Sequence, residues 1–184
     1  KSRSSFIAKN DILIEYDISA YHPTLAADLV GYDFGDQDIH QMFADMYGVS
    51  YKESKELTFK QLYGGVFKEY EHLEFFQKVK NFIENNWKTY NKTNKIEVPK
   101  SGYWFEGKNF ENMNPQKLFN YVLQNLETSN NISILMDIHK LLLNKNTSII
   151  LYTYDSFLLD YDESEDLLDE IENIFKKRKL RFKS

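Results

Sequence analysis

The stretch Ile12-Leu13-Ile14-Glu15-Tyr16-Asp17-Ile18 decides how the rest of the chain is read. It is a short, apolar, β-branched run, and it predicts a strand that delivers Asp17 near its end. Far along the chain, Thr147–Thr153 and Phe157–Tyr161 form two further β-rich runs. They meet at Tyr154-Asp155-Ser156, which predicts a hairpin with a second aspartate at its tip.

The sequence between these strands carries mostly helical signals. A helix is expected over Pro23 to Val30. Asp36 or Asp38 can cap another that runs through Ile39, Met42, Phe43 and Met46 to Gly48. Ser50 with Glu53 three residues on is a capping box opening a helix from Tyr51 to Tyr63, stopped by Gly64-Gly65. An amphipathic helix fits Tyr70 to Tyr90, and short strands at Ile96–Val98 and Tyr103–Phe105 flank the turn Pro99–Gly102. Asn114-Pro115 opens the longest helix, to about Leu143, with Leu118, Val122, Leu126, Ile132, Leu135 and Ile138 as its expected core. A helix from Glu163 to Lys179 and an edge strand at Leu180-Arg181-Phe182 close the pattern. Together these predict an α+β fold, a small antiparallel sheet packed by helices on one side.

Composition narrows the chemistry. The 184 residues contain no Cys, which excludes a disulfide scaffold, thiolate metal sites and a Cys nucleophile. Seven Gly and three Pro are too few for a collagen-like or disordered chain. No apolar run reaches the length of a membrane span, and the opening Lys1-Ser-Arg-Ser-Ser lacks the apolar stretch of a signal peptide. A first residue other than Met suggests a piece of a longer protein. The net charge of −5 argues against a passive nucleic-acid coat but suits a magnesium site built from carboxylates. The one basic block, Lys176 to Lys183, reads as favourable charge at a helix end.

Between Asp17 and Asp155, the helix from Tyr51 carries Lys55, Phe59 and Tyr63 at four-residue steps, along one face. Phosphoryl transfer uses paired divalent cations, and two aspartates on adjacent strands can bridge them. A triphosphate needs a cation beside it and its base a flat apolar surface, which a Lys followed one turn later by an aromatic supplies. Each feature has a plainer reading: an Asp ending a strand is commonly a turn residue, and such a stripe is commonly a core face with a snorkelling lysine. Tyr103, Trp104 and Phe105 read as a hairpin's contribution to the core rather than as stacking partners for bases.

In this order the motifs resemble the palm and fingers of a family-A DNA polymerase, the group of bacterial DNA polymerase I and many phage replicases. Nearly the whole chain takes part. Arg3-Ser-Ser-Phe6-Ile7-Ala8 and the strand into Asp17 resemble the approach to motif A, and Asp38-Ile39-His40 resembles the family's Asp-Ile-His. Lys55-x-x-x-Phe59-x-x-x-Tyr63-Gly64 is similar to motif B, Asn120-x-x-x-Gln124 to the pair facing primer–template, and Tyr154-Asp155 stands for the His-Asp of motif C. The resemblance implies a DNA-directed DNA polymerase, with palm at 1–34 and 93–184 and fingers at 35–92. It implies two Mg²⁺ on Asp17 and Asp155, with the Ile18 carbonyl as a further ligand. Lys55 and His40 would meet the triphosphate of a dNTP, Phe59 the sugar and base, Tyr63 the templating position, and Asn120 and Gln124 the DNA.

The departures are specific. The family's Glu five residues after its motif A Asp, a steric gate against ribose, is His22 here, with Tyr21 beside it as an alternative gate. The usual Arg four residues before the motif B Lys is Tyr51, leaving Lys52 as a stand-in. The Glu after the motif C Asp is Ser156, with Glu15 as a weak third carboxylate. Thumb and exonuclease sequences are absent, so the expected setting is a larger, divergent phage-type polymerase working in the cytoplasm, on no membrane, with those domains or a processivity partner supplied elsewhere. A single-subunit RNA polymerase relative and an inert polymerase-like binding or assembly module are the alternatives. Phe59, where the RNA enzymes have Met, favours DNA.

Overall fold

The computed structural model describes residues 8–10, 12–107 and 111–184. The resemblance drawn from Arg3 to Ile7 lies outside the described residues. The chain divides into two compact units, residues 1–21 with 128–184, and residues 22–127.

The first unit is built on a four-stranded antiparallel sheet. Its strands are β1 (Leu13–Ser19), β4 (Ser148–Thr153), β5 (Ser156–Asp160) and β6 (Arg181–Lys183), in the order β4-β5-β1-β6. β5 is central and wholly buried, which its apolar run Phe157-Leu158-Leu159 requires. Tyr16 lies opposite Phe157 and Ile18 opposite Phe182. The face they share is covered by Phe175 of helix α6 (Leu168–Lys176), whose ring centroid lies 5.4–5.5 Å from those of Tyr16, Phe157 and Phe182. The expected helix from Glu163 is broken. Asp162 caps one 3₁₀ turn, Asp166 turns left-handed at φ 51°, and α6 starts only at Leu168.

In the second unit, helices α1 (Tyr21–Val30), α2 (Ile39–Tyr47), α3 (Tyr51–Gly64) and α4 (Glu74–Thr93) follow in sequence. The unit then continues through the hairpin β2 (Lys95–Glu97) and β3 (Trp104–Glu106) into the first part of α5 (Pro115–Leu141), whose residues from Thr128 onward belong to the first unit. Local chemistry sets the helix ends. Asp38 accepts the Gln41 amide at the start of α2, and Gly48 closes it with φ 71°, a conformation costly for a residue with a Cβ. Both halves of the Ser50/Glu53 capping box are formed. Phe34, Phe43, Phe75 and Phe76 interlock at centroid distances of 5.0–5.6 Å and form the aromatic centre of the unit. Tertiary packing overrides the sequence signal at the start of α4: Phe67 to Leu73 fold as turns, and the helix begins at Glu74.

Two core assignments are corrected. Ile132 is 54% exposed, and Asn131, Ile134 and Ile138 form the buried line of that part of α5. Helical drift of 100° per residue places Ile132 one step off that line. Of the three hairpin aromatics Phe105 is buried, whereas Tyr103 and Trp104 are exposed, as alternation along a strand demands of Trp104 at least.

Candidate active site

Backbone pairing brings the two aspartates of the first unit together. Asp17 lies opposite Ser156, and the Ile18 amide donates to the Asp155 carbonyl at 2.7 Å, so Asp155 sits on the next rung of the same ladder. Both aspartates are exposed, while Ile18 between them is buried and paired with Phe182. The two-residue turn Tyr154-Asp155 is held from behind by Asn131. That buried side chain donates to the Tyr154 carbonyl at 2.9 Å and accepts the Tyr21 hydroxyl at 2.9 Å. Tyr21 is itself only 6% exposed, so its hydroxyl is spent inside the core. Glu15 shares the strand face of Asp17 and takes the Ser156 hydroxyl at 2.6 Å. The described residues contain no group of three or more His, Cys, Asp or Glu that could hold a metal ion. Asp17 and Asp155 are exposed on adjoining backbone segments, and magnesium is commonly held by only one or two carboxylates, with water and phosphate oxygens completing its shell.

The second unit presents the other residues on α3, and it does so by an inversion. The buried side of α3 is polar, made of Ser54, Thr58 and Gln61 with Leu62. The stripe of Lys55, Phe59 and Tyr63 is not the core face: Lys55 is exposed, Phe59 half-buried and Tyr63 41% exposed. The inward polar groups are satisfied. Ser54 donates to the His40 carbonyl at 2.7 Å, Thr58 and the Tyr47 hydroxyl share a bond of 2.9 Å, and Gln61 accepts the Phe67 amide at 3.2 Å. Burial pushes the Tyr47 phenol up to about 12.

Along the outward stripe the Lys55 ammonium lies 5.9 Å from the Tyr51 ring centre, and the rings of Phe59 and Tyr63 are parallel at 5.9 Å. His40 of α2 packs edge-on against Tyr51 and Phe59 at 5.9 and 5.6 Å. It is 5% exposed, and its Nδ1 has no hydrogen-bond partner among the described residues. Burial, then the Lys55 charge, lowers its pKa, against a smaller opposing pull from Asp38. A buried neutral imidazole with a free nitrogen beside a lysine suits an acceptor-rich anion, whose arrival would restore the lost hydrogen bond. Tyr51 donates to Asp38 at 3.2 Å and so braces the α2 cap, while Lys52 is exposed.

Helix α5 anchors the end of α3. Gln116 donates to the Leu62 carbonyl at 2.6 Å and Asn120 to the Tyr63 carbonyl at 3.1 Å, while Gln124 is exposed. His22 lies between Tyr63, whose hydroxyl is 2.6 Å from Nδ1, and Glu127, whose carboxylate is 2.8 Å from Nε2. Burial, reinforced by the Glu127 charge, pushes the Tyr63 phenol up to about 12. Neither Asn131 nor Glu127 stands out in the sequence. The only signal is a polar residue on the inward helical line of α5, a spacing of 127, 131, 134 and 138.

The antiparallel sheet and the helical unit together make a polymerase-like fold. Among solved structures the chain is similar to the POL domain of Pol1 from M. smegmatis, determined in complex with DNA primer-template and dNTP. The TM-score is 0.71 at 14% identity, over 94% of this chain and 37% of that one. The chain therefore spans well under half the length of that neighbour. No protein-family model and no curated protein sequence matches it.

Proposed function

We propose that this chain is the nucleotidyl-transferring part of a DNA-directed DNA polymerase, which adds a deoxynucleotide from its triphosphate to a primer 3′-hydroxyl on a DNA template. The inverted α3 helix is the observation that carries the reading. Folding turns polar side chains inward and leaves Lys55 exposed, Tyr63 partly exposed and the parallel Phe59 ring half-buried, an arrangement that burial alone would not favour. Asp17 and Asp155 would hold Mg²⁺, two ions in all, which supply the positive charge that activates the attacking hydroxyl and offsets charge on departing pyrophosphate.

The chain's own residues then have separate roles. Lys55 neutralises the triphosphate, and Nδ1 of His40, carrying the ring proton, donates one hydrogen bond to a phosphate oxygen. Phe59 lies under the sugar and base, and Tyr63 closes the stripe beside the templating position. Lys52 adds a mobile positive charge, and Gln124 is free to meet the minor groove, where the donor and acceptor pattern is nearly sequence-blind. Asn120, engaged with the Tyr63 carbonyl, supports the stripe from behind. The backbone bond from Ile18 to Asp155 keeps the chain segments that carry the two aspartates side by side.

Primer extension with and without Mg²⁺ tests the reading. Extension by the chain, abolished in Asp155→Ala with an unchanged circular dichroism spectrum, is expected; extension retained in that variant overturns it. A second reading, a polymerase-like binding module without catalysis, draws support from the lack of a third acidic residue in a cluster with Asp17 and Asp155 among the described residues. It predicts no extension and no thermal stabilisation by Mg²⁺ with a triphosphate.

A further inference from the structure

We infer that Glu127 is a positioning residue for sugar selection, locking the His22 ring in place as a rigid stop against the 2′-hydroxyl of a ribonucleotide. The inference rests on the polymerase reading above and concerns the same stripe. Excluding one hydroxyl by steric contact requires a group that cannot swing aside, because a ring free to rotate yields at little cost.

His22 meets that requirement through both of its nitrogens. A carboxylate can only accept, so Nε2 carries the proton and donates to Glu127 at 2.8 Å. Nδ1 then has no proton of its own and accepts from the Tyr63 hydroxyl at 2.6 Å. The two contacts fix the tautomer and oppose a ring flip. Both partners of the Nε2–carboxylate contact are well shielded, with side-chain exposures of 14% for His22 and 16% for Glu127. The ring also packs edge-on to Tyr63 at 5.5 Å, at the end of the stripe that Phe59 continues. Tyr21, the alternative gate, cannot serve as the stop, because its ring is buried and its hydroxyl is committed to Asn131.

Single-nucleotide primer extension with matched dATP and ATP tests this, using the chain, Glu127→Ala and Glu127→Gln. The ratio of kcat/KM for dATP over ATP should fall about tenfold in Glu127→Ala, mainly through a lower KM for ATP. Glu127→Gln keeps an acceptor oxygen and should restore most of the ratio, which a purely structural role would not predict. Should Glu127→Ala fail to fold, Glu127→Leu fills the volume without an acceptor and carries the same test. Imidazole ¹⁵N shifts of His22 should report an Nε2–H tautomer that is lost in Glu127→Ala. If the parent extends primers and the Ala or Leu variant keeps its full sugar ratio, the inference fails and the polymerase reading stands. If the parent extends with neither nucleotide, both fall.

Discussion

In the unit formed by residues 1–21 and 128–184, the candidate carboxylates are placed by the backbone. Asp17 and Asp155 occupy neighbouring rungs of an antiparallel ladder whose inner face is closed by Tyr16, Phe157 and Phe175. In the unit of residues 22–127, placement is a matter of side chains. Helix α3 turns Ser54, Thr58 and Gln61 inward and thereby leaves Lys55, Phe59 and Tyr63 outward. A ladder fixes position at the cost of little sequence, because every residue pair in it shares the hydrogen-bonding load. An inverted helix needs each inward polar group satisfied, so it depends on named partners such as Tyr47 and the His40 carbonyl.

The comparison can be broken first at Asp17. Asp17→Ala should reduce extension by about a thousandfold or more, as loss of a metal-holding carboxylate would, with the melting temperature nearly unchanged because the side chain is exposed. A large fall in melting temperature would mean that the aspartate holds the sheet rather than an ion. Next comes Asn131→Ala, which leaves the buried Tyr21 hydroxyl and the Tyr154 carbonyl without their partner. A loss of about 2–3 kcal/mol in denaturant unfolding is expected. A smaller loss would show that the ladder alone keeps the Asp155 turn in place.

The helical unit should behave in the opposite sense at its stripe. Lys55→Ala is expected to raise the KM for dNTP by about ten- to a hundredfold with melting nearly unchanged, since the lysine is exposed. A matching loss of stability would return the stripe to the core. The smallest effect concerns Asp137 of the sheet unit, bonded to Lys177 at 2.7 Å and Arg178 at 2.6 Å. The hydrogen bonds from Lys177 and Arg178 lower its pKa to about 2. A carboxyl depressed on folding adds stability above its unfolded pKa near 4 and loses it as pH falls through the folded value. Asp137→Asn should therefore cost about 1 kcal/mol at neutral pH, discounted for partial exposure, and the gap between variant and parent in melting experiments should close as pH falls from about 4 toward 2.

The structure also shows where a sequence stops informing. The strand ending near Asp17, the hairpin tipped by Asp155, the Ser50 cap and the stop at Gly48 were all legible, and the cap of α2 was narrowed to Asp36 or Asp38. Each rests on chemistry acting over two to four residues: alternation, a side chain reaching a nearby amide, a backbone angle that glycine tolerates. The broken helix after Asp162, the late start of α4 and the exposure of Ile132 were not legible, because periodicity says that a stripe exists without fixing which side finds a partner.

By itself the sequence determined most of the local elements, with Asp17 on a strand and Asp155 at the tip of a hairpin. Tertiary structure alone decided that α3 buries its polar side, that His40 keeps a free nitrogen in the interior, and that Glu127 and Asn131 reach back to His22 and to the Asp155 turn. The physical reason is one of range. Caps, turns and alternation are settled among neighbours in the chain, whereas the choice of a buried face compares the free energy of whole surfaces meeting residues about a hundred positions away.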